Sequence, residues 1–261
     1  MEFSEYTPGT FCWPELCTTD SAAAKTFYSA IFGWDLHDDP IGPDAVYTMA
    51  SKGGKNVGAM YQRSPEQEKV GIPPHWLSYV SVEDVDSSHA KAKTLGAATM
   101  VDPMDVMDIG RMAVMADPTG AAFAMWQPKK RIGSQLANEP GTMTWHELLT
   151  HDVDKSGEFF TDLFGWKSKA MDMGGMVYTQ FINGDKPAGG MLKIQPEWGE
   201  TPSNWVIYFA VEDCDASLAK ITELGGREIS PAQDIPGMGR FAMVQDPQGA
   251  VFAVFAAEKS T

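Results

Sequence analysis

Two glutamates occupy the same short phrase at two places in the chain: Trp13-Pro-Glu15-Leu16 recurs as Trp145-His-Glu147-Leu148. A carboxylate beside an indole on a β-rich stretch has three chemical uses. It can orient a polar ligand, act as a general base if burial lifts its pKa, or form the buried half of an ion pair. Glu15 and Glu147 are therefore the candidate catalytic residues. Arg111 and Arg240 recur as well, and the ion-pair reading joins Glu15 to Arg111 and Glu147 to Arg240. Both readings stay open on residue types alone.

Strand side chains alternate, so residues two apart share a face. Trp13 then lies with Glu15, Trp145 with Glu147, and His75 with Leu77 and Tyr79; the counterpart of Tyr79 is Tyr208. These tryptophans, glutamates and tyrosines, with His75, Arg111 and Arg240, form the candidate ligand-binding set. Glu15 plus His75 could begin a metal site, but the counterpart of His75 is Asn204 and no third donor is evident. His146 alternates away from Glu147 and is expected to face outward. His37, His89 and His151 are expected in solvated loop or helix positions.

The elements that position these residues are written twice. Phe27-Tyr28 and Ile31-Phe-Gly-Trp34 recur as Phe159-Phe160 and Leu163-Phe-Gly-Trp166, displaced by 132 (145 − 13 for the first tryptophan). Residues 76–84 recur as 205–213, and Gly110-Arg111…Asp117-Pro-Thr-Gly120 as Gly239-Arg240…Asp246-Pro-Gln-Gly249, displaced by 129 (240 − 111). The expected division is 1–130 and 131–261, with 127–140 as connector. Within the first half, residues 10–18 read as a strand. Asp20 then caps a helix over 22–32 that Gly33 stops, and segments at 45–50 and 56–61 flank a Gly53-Gly54 turn. A loop at 62–74 leads to a strand at 76–82. A second helix over 90–95 follows, then strands near 99–101, 112–116 and 121–126. The pattern is one strand, one helix and three strands, twice per half: four βαβββ units in an α+β chain.

Composition narrows the function classes. A net charge of −15 argues against nucleic acid, which needs a basic surface. No apolar run approaches a membrane span, and the start Met1-Glu-Phe-Ser-Glu lacks the apolar core of a signal peptide. Cys12, Cys17 and Cys214 lack metal-type spacing and are expected as free buried thiols, which suits a cytoplasmic setting. No phosphate-binding loop, dinucleotide glycine fingerprint or nucleophile elbow is present.

The element order and six landmarks, each seen twice, resemble the glyoxalase / bleomycin-resistance / dioxygenase family, the vicinal oxygen chelate superfamily. The landmarks are the Asp20…Phe27-Tyr28…Phe32-Gly33-Trp34 run, Val82-Glu-Asp-Val85-Asp86, and Gly110-Arg111…Asp117-Pro-x-Gly120, with their twins. The Trp-rich pattern is similar to tandem two-domain members catalogued as hydroxylases or glyoxalase-like antigens. The resemblance implies incomplete barrels in which paired βαβββ units cup one ligand, with two domains in one chain standing in for a homodimer. It also implies where a divalent metal would be held: at Trp13, Leu77 and Ala124, with twins Trp145, Val206 and Ala253. None of these side chains is a metal donor, and residues 56–61 and 187–192 carry no carboxylate or imidazole. No cofactor is therefore expected; a noncanonical divalent metal is the alternative.

Three functions are consistent with these residues. The first is a metal-independent small-molecule-binding protein with aromatic-lined cups, serving sequestration or resistance. The second is a lyase or oxidoreductase of the glyoxalase, dioxygenase or hydroxylase type, using a displaced metal or metal-free acid–base chemistry. The third is an interaction protein whose cups are filled by their own side chains. The expected partner is a small molecule, with no nucleic acid and no membrane; the chain forms an intrachain pseudo-dimer, and higher oligomers stay open.

Overall fold

In the computed structural model, the described residues are 1–43, 45–173 and 175–258. The first half runs β1 (Phe11–Thr18), α1 (Ser21–Phe32), β2 (Asp35–Pro40), β3 (Val46–Lys52), β4 (Lys55–Gln62), α2 (Pro65–Lys69), β5 (His75–Ser81), α3 (Val85–Thr94), β6 (Ala98–Val106), β7 (Gly110–Ala116) and β8 (Ala122–Pro128). The second runs β9 (Met143–Thr150), α4 (Val153–Phe164), β10 (Lys167–Asp172), β11 (Val177–Asn183), β12 (Lys186–Lys193), β13 (Asn204–Ala210), α5 (Cys214–Glu223), β14 (Arg227–Ile235), β15 (Gly239–Gln245) and β16 (Val251–Ala257). The four expected βαβββ units are present. Asp20, Asp84, Asp152 and Asp213 cap the four longer helices, each accepting a hydrogen bond from a backbone N–H three residues on.

Each half forms one eight-stranded sheet, in the orders β2-β3-β4-β1-β5-β8-β7-β6 and β10-β11-β12-β9-β13-β16-β15-β14. The two units of a half meet at the antiparallel β1–β5 or β9–β13 pair, where Glu15 lies opposite Leu77 and Glu147 opposite Val206. On the other side, β1 pairs parallel with β4 and sets Glu15 beside Ala59; β9 pairs with β12 and sets Glu147 beside Gly190. Both glutamates thus stand near the middle of the sheet, the position that two-unit symmetry makes central.

The helices lie between the backs of the two sheets. Phe32 on α1 packs on Phe209 of the second sheet at 4.9 Å, and Phe160 on α4 packs on Phe123 of the first at 5.3 Å. Burying each such ring contributes about 1.5–3 kcal/mol. Each domain therefore lends a helix to the other's sheet, and the cup faces are left pointing away from the seam.

The structure departs from the sequence expectations at β2, α2, His146 and His89. Strand β2, Asp-Leu-His-Asp-Asp-Pro, was not located because an exposed edge strand shows no apolar alternation; His37 lies on it beside Asp39. The expected 62–74 loop contains α2, started by a reciprocal capping box between Ser64 and Gln67. His146 faces away from its cup as expected, but that side of β9 is the seam, so it is only 4% exposed. It stacks on Phe11 at 4.0 Å, and Nδ1 meets the Ser78 hydroxyl at 2.9 Å. His89 is likewise buried, not solvated, with Nε2 at 2.8 Å from the Thr99 hydroxyl. All three cysteines are free and buried.

Candidate functional site

On β1, Trp13 and Glu15 share the cup face; on β3 and β5, so do Tyr47 and Tyr79. The Tyr79 hydroxyl donates to Glu15 Oε1 at 2.9 Å and the Tyr47 hydroxyl to Oε2 at 2.6 Å. The Trp13 indole N–H donates in turn to the Tyr47 oxygen at 3.2 Å. A chain of donors therefore ends on one carboxylate. Burial pushes the Glu15 pKa up, and the two tyrosine hydrogen bonds pull it partly back. The Trp13, Glu15 and Tyr47 residues keep partial solvent contact, so the cup is open above them.

The second domain repeats the array. Tyr208 donates to Glu147 Oε1 at 2.9 Å, and Trp145 Nε1 donates to the Tyr178 oxygen at 2.9 Å, with the Tyr178 phenol close enough to help lower the Glu147 pKa. Glu147 is 8% exposed, and burial lifts its pKa to about 7 against the two tyrosines. Gly190 makes this geometry achievable: a Cβ there would stand 1.8 Å from the Tyr178 oxygen. The first domain holds Ala59 at the equivalent place on β4, a difference between otherwise parallel sites.

The expected Glu–Arg pairs do not form. Arg111 grips Asp86 through Nε at 2.7 Å and Nη2 at 2.9 Å, and lies 3.5 Å from Asp105. Arg240 pairs with Asp215 at 3.0 Å and Asp234 at 2.9 Å. The reason is alternation on β7 and β15. Met112 and Phe241 face the cups, opposite Trp126 and Phe255 on the neighbouring strands, and the arginines beside them turn to the helix side. Arg111 and Arg240 tie the starts of α3 and α5 to their sheets and do not reach the glutamates.

His75 does share the cup face, opposite Cys17, but Nδ1 lies 2.8 Å from the Pro73 carbonyl and burial depresses its pKa. Among the described residues, no three His, Cys, Asp or Glu side chains gather in a group able to hold a metal. The donor set around Glu15, the phenols of Tyr47 and Tyr79, the nearby phenol of Tyr61 and the Trp13 indole, has no second carboxylate and does not fit a divalent ion of the superfamily's kind. Trp126 closes the end of the first cup, its indole N–H donating to the Arg131 carbonyl at 2.9 Å over Gly110. Tyr47 and Tyr178 were missed as site residues because aromatics on strands are core by default. Their retention in both copies, on the face shared with the glutamates, was the available signal.

Two surface cavities of about 610 and 340 Å³ are lined by the N-terminal arm, the first with the connector and the second with the start of β9, Trp145 included; neither includes Glu15 or Glu147.

Two eight-stranded sheets of paired βαβββ units, each with its array at the centre, define a two-domain protein of the glyoxalase/bleomycin resistance protein/dioxygenase superfamily, and the chain belongs to it. Residues 15–126 match the glyoxalase-like domain family and residues 138–254 the superfamily's own domain. The chain is 42% identical over 253 residues to the protein named "Putative glyoxylase CFP32" of Mycobacterium tuberculosis, covering 96% of each. It is 34% identical over 263 residues to "Anthracycline biosynthesis protein DnrV" of Streptomyces peucetius, covering 96% of this chain and 94% of that one. In fold it is similar to the Mn(II)-bound glyoxalase of Novosphingobium aromaticivorans, with TM-score 0.66, 17% identity, and 95% and 82% of the two chains covered. The 2,3-dioxygenase LapB of Pseudomonas sp. KL28 is similar at TM-score 0.64 and 10% identity, with 96% and 92% covered.

Proposed function

We propose that this chain is a small-molecule-binding protein whose cups hold organic ligands against a Trp–Tyr–Glu–Tyr array, for sequestration or resistance. The observation that carries this reading is the state of the two glutamates. Glu15 is held by two tyrosine hydroxyls and Glu147 by one, and among the described residues neither has a cationic partner. A carboxylate accepts about four hydrogen bonds, so each keeps acceptor capacity toward the cup. Indole and phenol rings around a few fixed polar groups are the usual lining of a small-molecule site. The metal-ligand positions of the superfamily are filled by Trp, Leu, Val and Ala, so the binding proposed is metal-independent. The relative named for anthracycline biosynthesis supports a flat aromatic ligand.

Metal-free acid–base chemistry is the second reading, favoured by one observation: Glu147, lifted to about 7, is poised to take up or release a proton at neutral pH. The mycobacterial relatives' glyoxylase names support an enzyme of this kind.

The test is a thermal-shift screen of aromatic amphiphiles on tag-free protein, before and after dialysis against chelator, with metal content measured in parallel. Ligands that raise Tm equally in both preparations are expected, since binding to the native state alone stabilises it. About one transition metal per chain, with ligand response lost on its removal, would overturn the proposal.

A further inference from the structure

The first cup holds a carboxyl group that, among the described residues, pairs with tyrosine hydroxyls and with no cation. Glu15 is flanked on its neighbouring strands by Ala59 and Leu77, and Ala124 lies beside Tyr79, so the floor is small and apolar. Around it stand four aromatic walls: Trp13 opposite Tyr79, and Tyr47 opposite Tyr61. The Tyr61 hydroxyl is capped from α2 by Gln67 Nε2 at 3.0 Å.

The titratable groups facing Glu15 supply no positive charge. Burial pushes the phenols of Tyr47, Tyr61 and Tyr79 and the thiol of Cys17 upward, and the His75 imidazole downward, so all five are neutral at neutral pH. The guanidinium groups at the margins are engaged elsewhere. Arg63 donates to the Ile72 carbonyl and lies 3.4 Å from Glu68; Arg131 touches Met49 Sδ and lies 4.0 Å from Asp39.

We infer that this cup takes a protonated or quaternary organic amine, its positive charge against the Glu15 carboxylate and the faces of Trp13, Tyr47, Tyr61 and Tyr79. The inference rests on the reading of the cups as ligand sites and names the ligand class. Aromatic faces attract cations, most strongly where water is excluded, and a carboxylate in the same enclosure adds direct Coulomb attraction. The net charge of −15 raises the local concentration of cations before binding. The second cup is the internal comparison: Leu149, Leu192 and Asn204 stand where the first has Cys17, Tyr61 and His75. With one aromatic wall fewer, it is the weaker amine site. The rival is a ligand carbonyl accepting from protonated Glu15, which would favour neutral ligands and acidic pH.

The experiment is isothermal titration of the full chain with benzyltrimethylammonium, whose charge cannot titrate, against benzyl alcohol as neutral comparator. The cation is expected to bind more tightly at alkaline than at acid pH, losing about tenfold in affinity once Glu15 is protonated. Glu15→Gln is expected to lower cation affinity about tenfold and flatten the pH dependence, and Tyr61→Leu to lower it about threefold, with benzyl alcohol little changed. If Glu15→Gln does not fold, the wild-type pH dependence and Tyr61→Leu decide the matter. Benzyl alcohol binding as well as the cation, with no loss in Glu15→Gln or no fall toward acid pH, overturns the amine class and leaves the cups as ligand sites. Binding of neither probe overturns both.

Discussion

Glu147 shows how much a single residue costs the fold and what the cost makes available. Its pKa rises from 4.5 to about 7 because burial disfavours the charged form more than two tyrosine hydrogen bonds favour it. The folded state therefore binds more protons than the unfolded state between those values. Stability is fully present below about pH 4.5 and is lost as pH rises through about 7, by roughly 3 kcal/mol as an upper bound. Glu147→Gln keeps a carbonyl acceptor for Tyr208 and removes the ionisation. The variant is expected to be more stable than wild type at about pH 8 and to show no advantage at about pH 4, measured by urea unfolding. At this scale the glutamates, Trp13, Trp145, Tyr79 and Tyr208 were legible from repetition and strand alternation. Their partners were legible only in part, because Tyr47 and Tyr178 recur in both halves but their strands take their places two along from β1 and β9 only in the folded sheet.

Among the elements, alternation was informative wherever it was applied, and the arginines illustrate the point. Arg111 and Arg240 sit one residue from cup-facing Met112 and Phe241, so the pleat alone directs them to α3 and α5. The charge complementarity that suggested Glu15 and Glu147 as partners carried no information about faces. Edge strand β2 was illegible for a different reason, since charged exposed residues leave no hydrophobic period. Strand β12 carries the sharpest constraint on the second cup. Gly190→Ala places a methyl group in space that the Tyr178 hydroxyl fills. The substitution is expected to cost about 1–3 kcal/mol and to detach Tyr178 from Trp145. Thermal unfolding and the indole N–H resonance of Trp145 would both report it; an unchanged Tm and resonance would show that Tyr178 is not held as described.

For the molecule as a whole, duplication made the two-domain organisation legible, but the seam between domains was not. There the copies have diverged in complementary ways. In one half, the Trp76 indole donates to the Tyr28 hydroxyl at 3.0 Å, and Tyr28 donates to Asp246 of the other domain at 2.9 Å. In the other half, Phe160 replaces that tyrosine, Ser156 donates to Asp117 at 2.9 Å, and the Trp205 indole has no hydrogen-bond partner among the described residues. Both arrangements lock the turn of one domain to a helix of the other. Tyr28→Phe removes a fully buried cross-domain bridge and is expected to cost about 1–3 kcal/mol, with both domains still unfolding in one transition. Separate transitions in wild type would show that the seam does not couple them.

Ligands that enter the cups as proposed would meet the tryptophans standing at the superfamily's metal positions. Titration of tryptophan fluorescence with 1-naphthol in wild type, Trp13→Ala and Trp145→Ala decides whether they do. Saturable quenching is predicted, weakened in both variants but unequally, because the cups differ at Tyr61 and Leu192 and at Ala59 and Gly190. Quenching that does not saturate, or that both substitutions leave unchanged, would contradict the proposed binding.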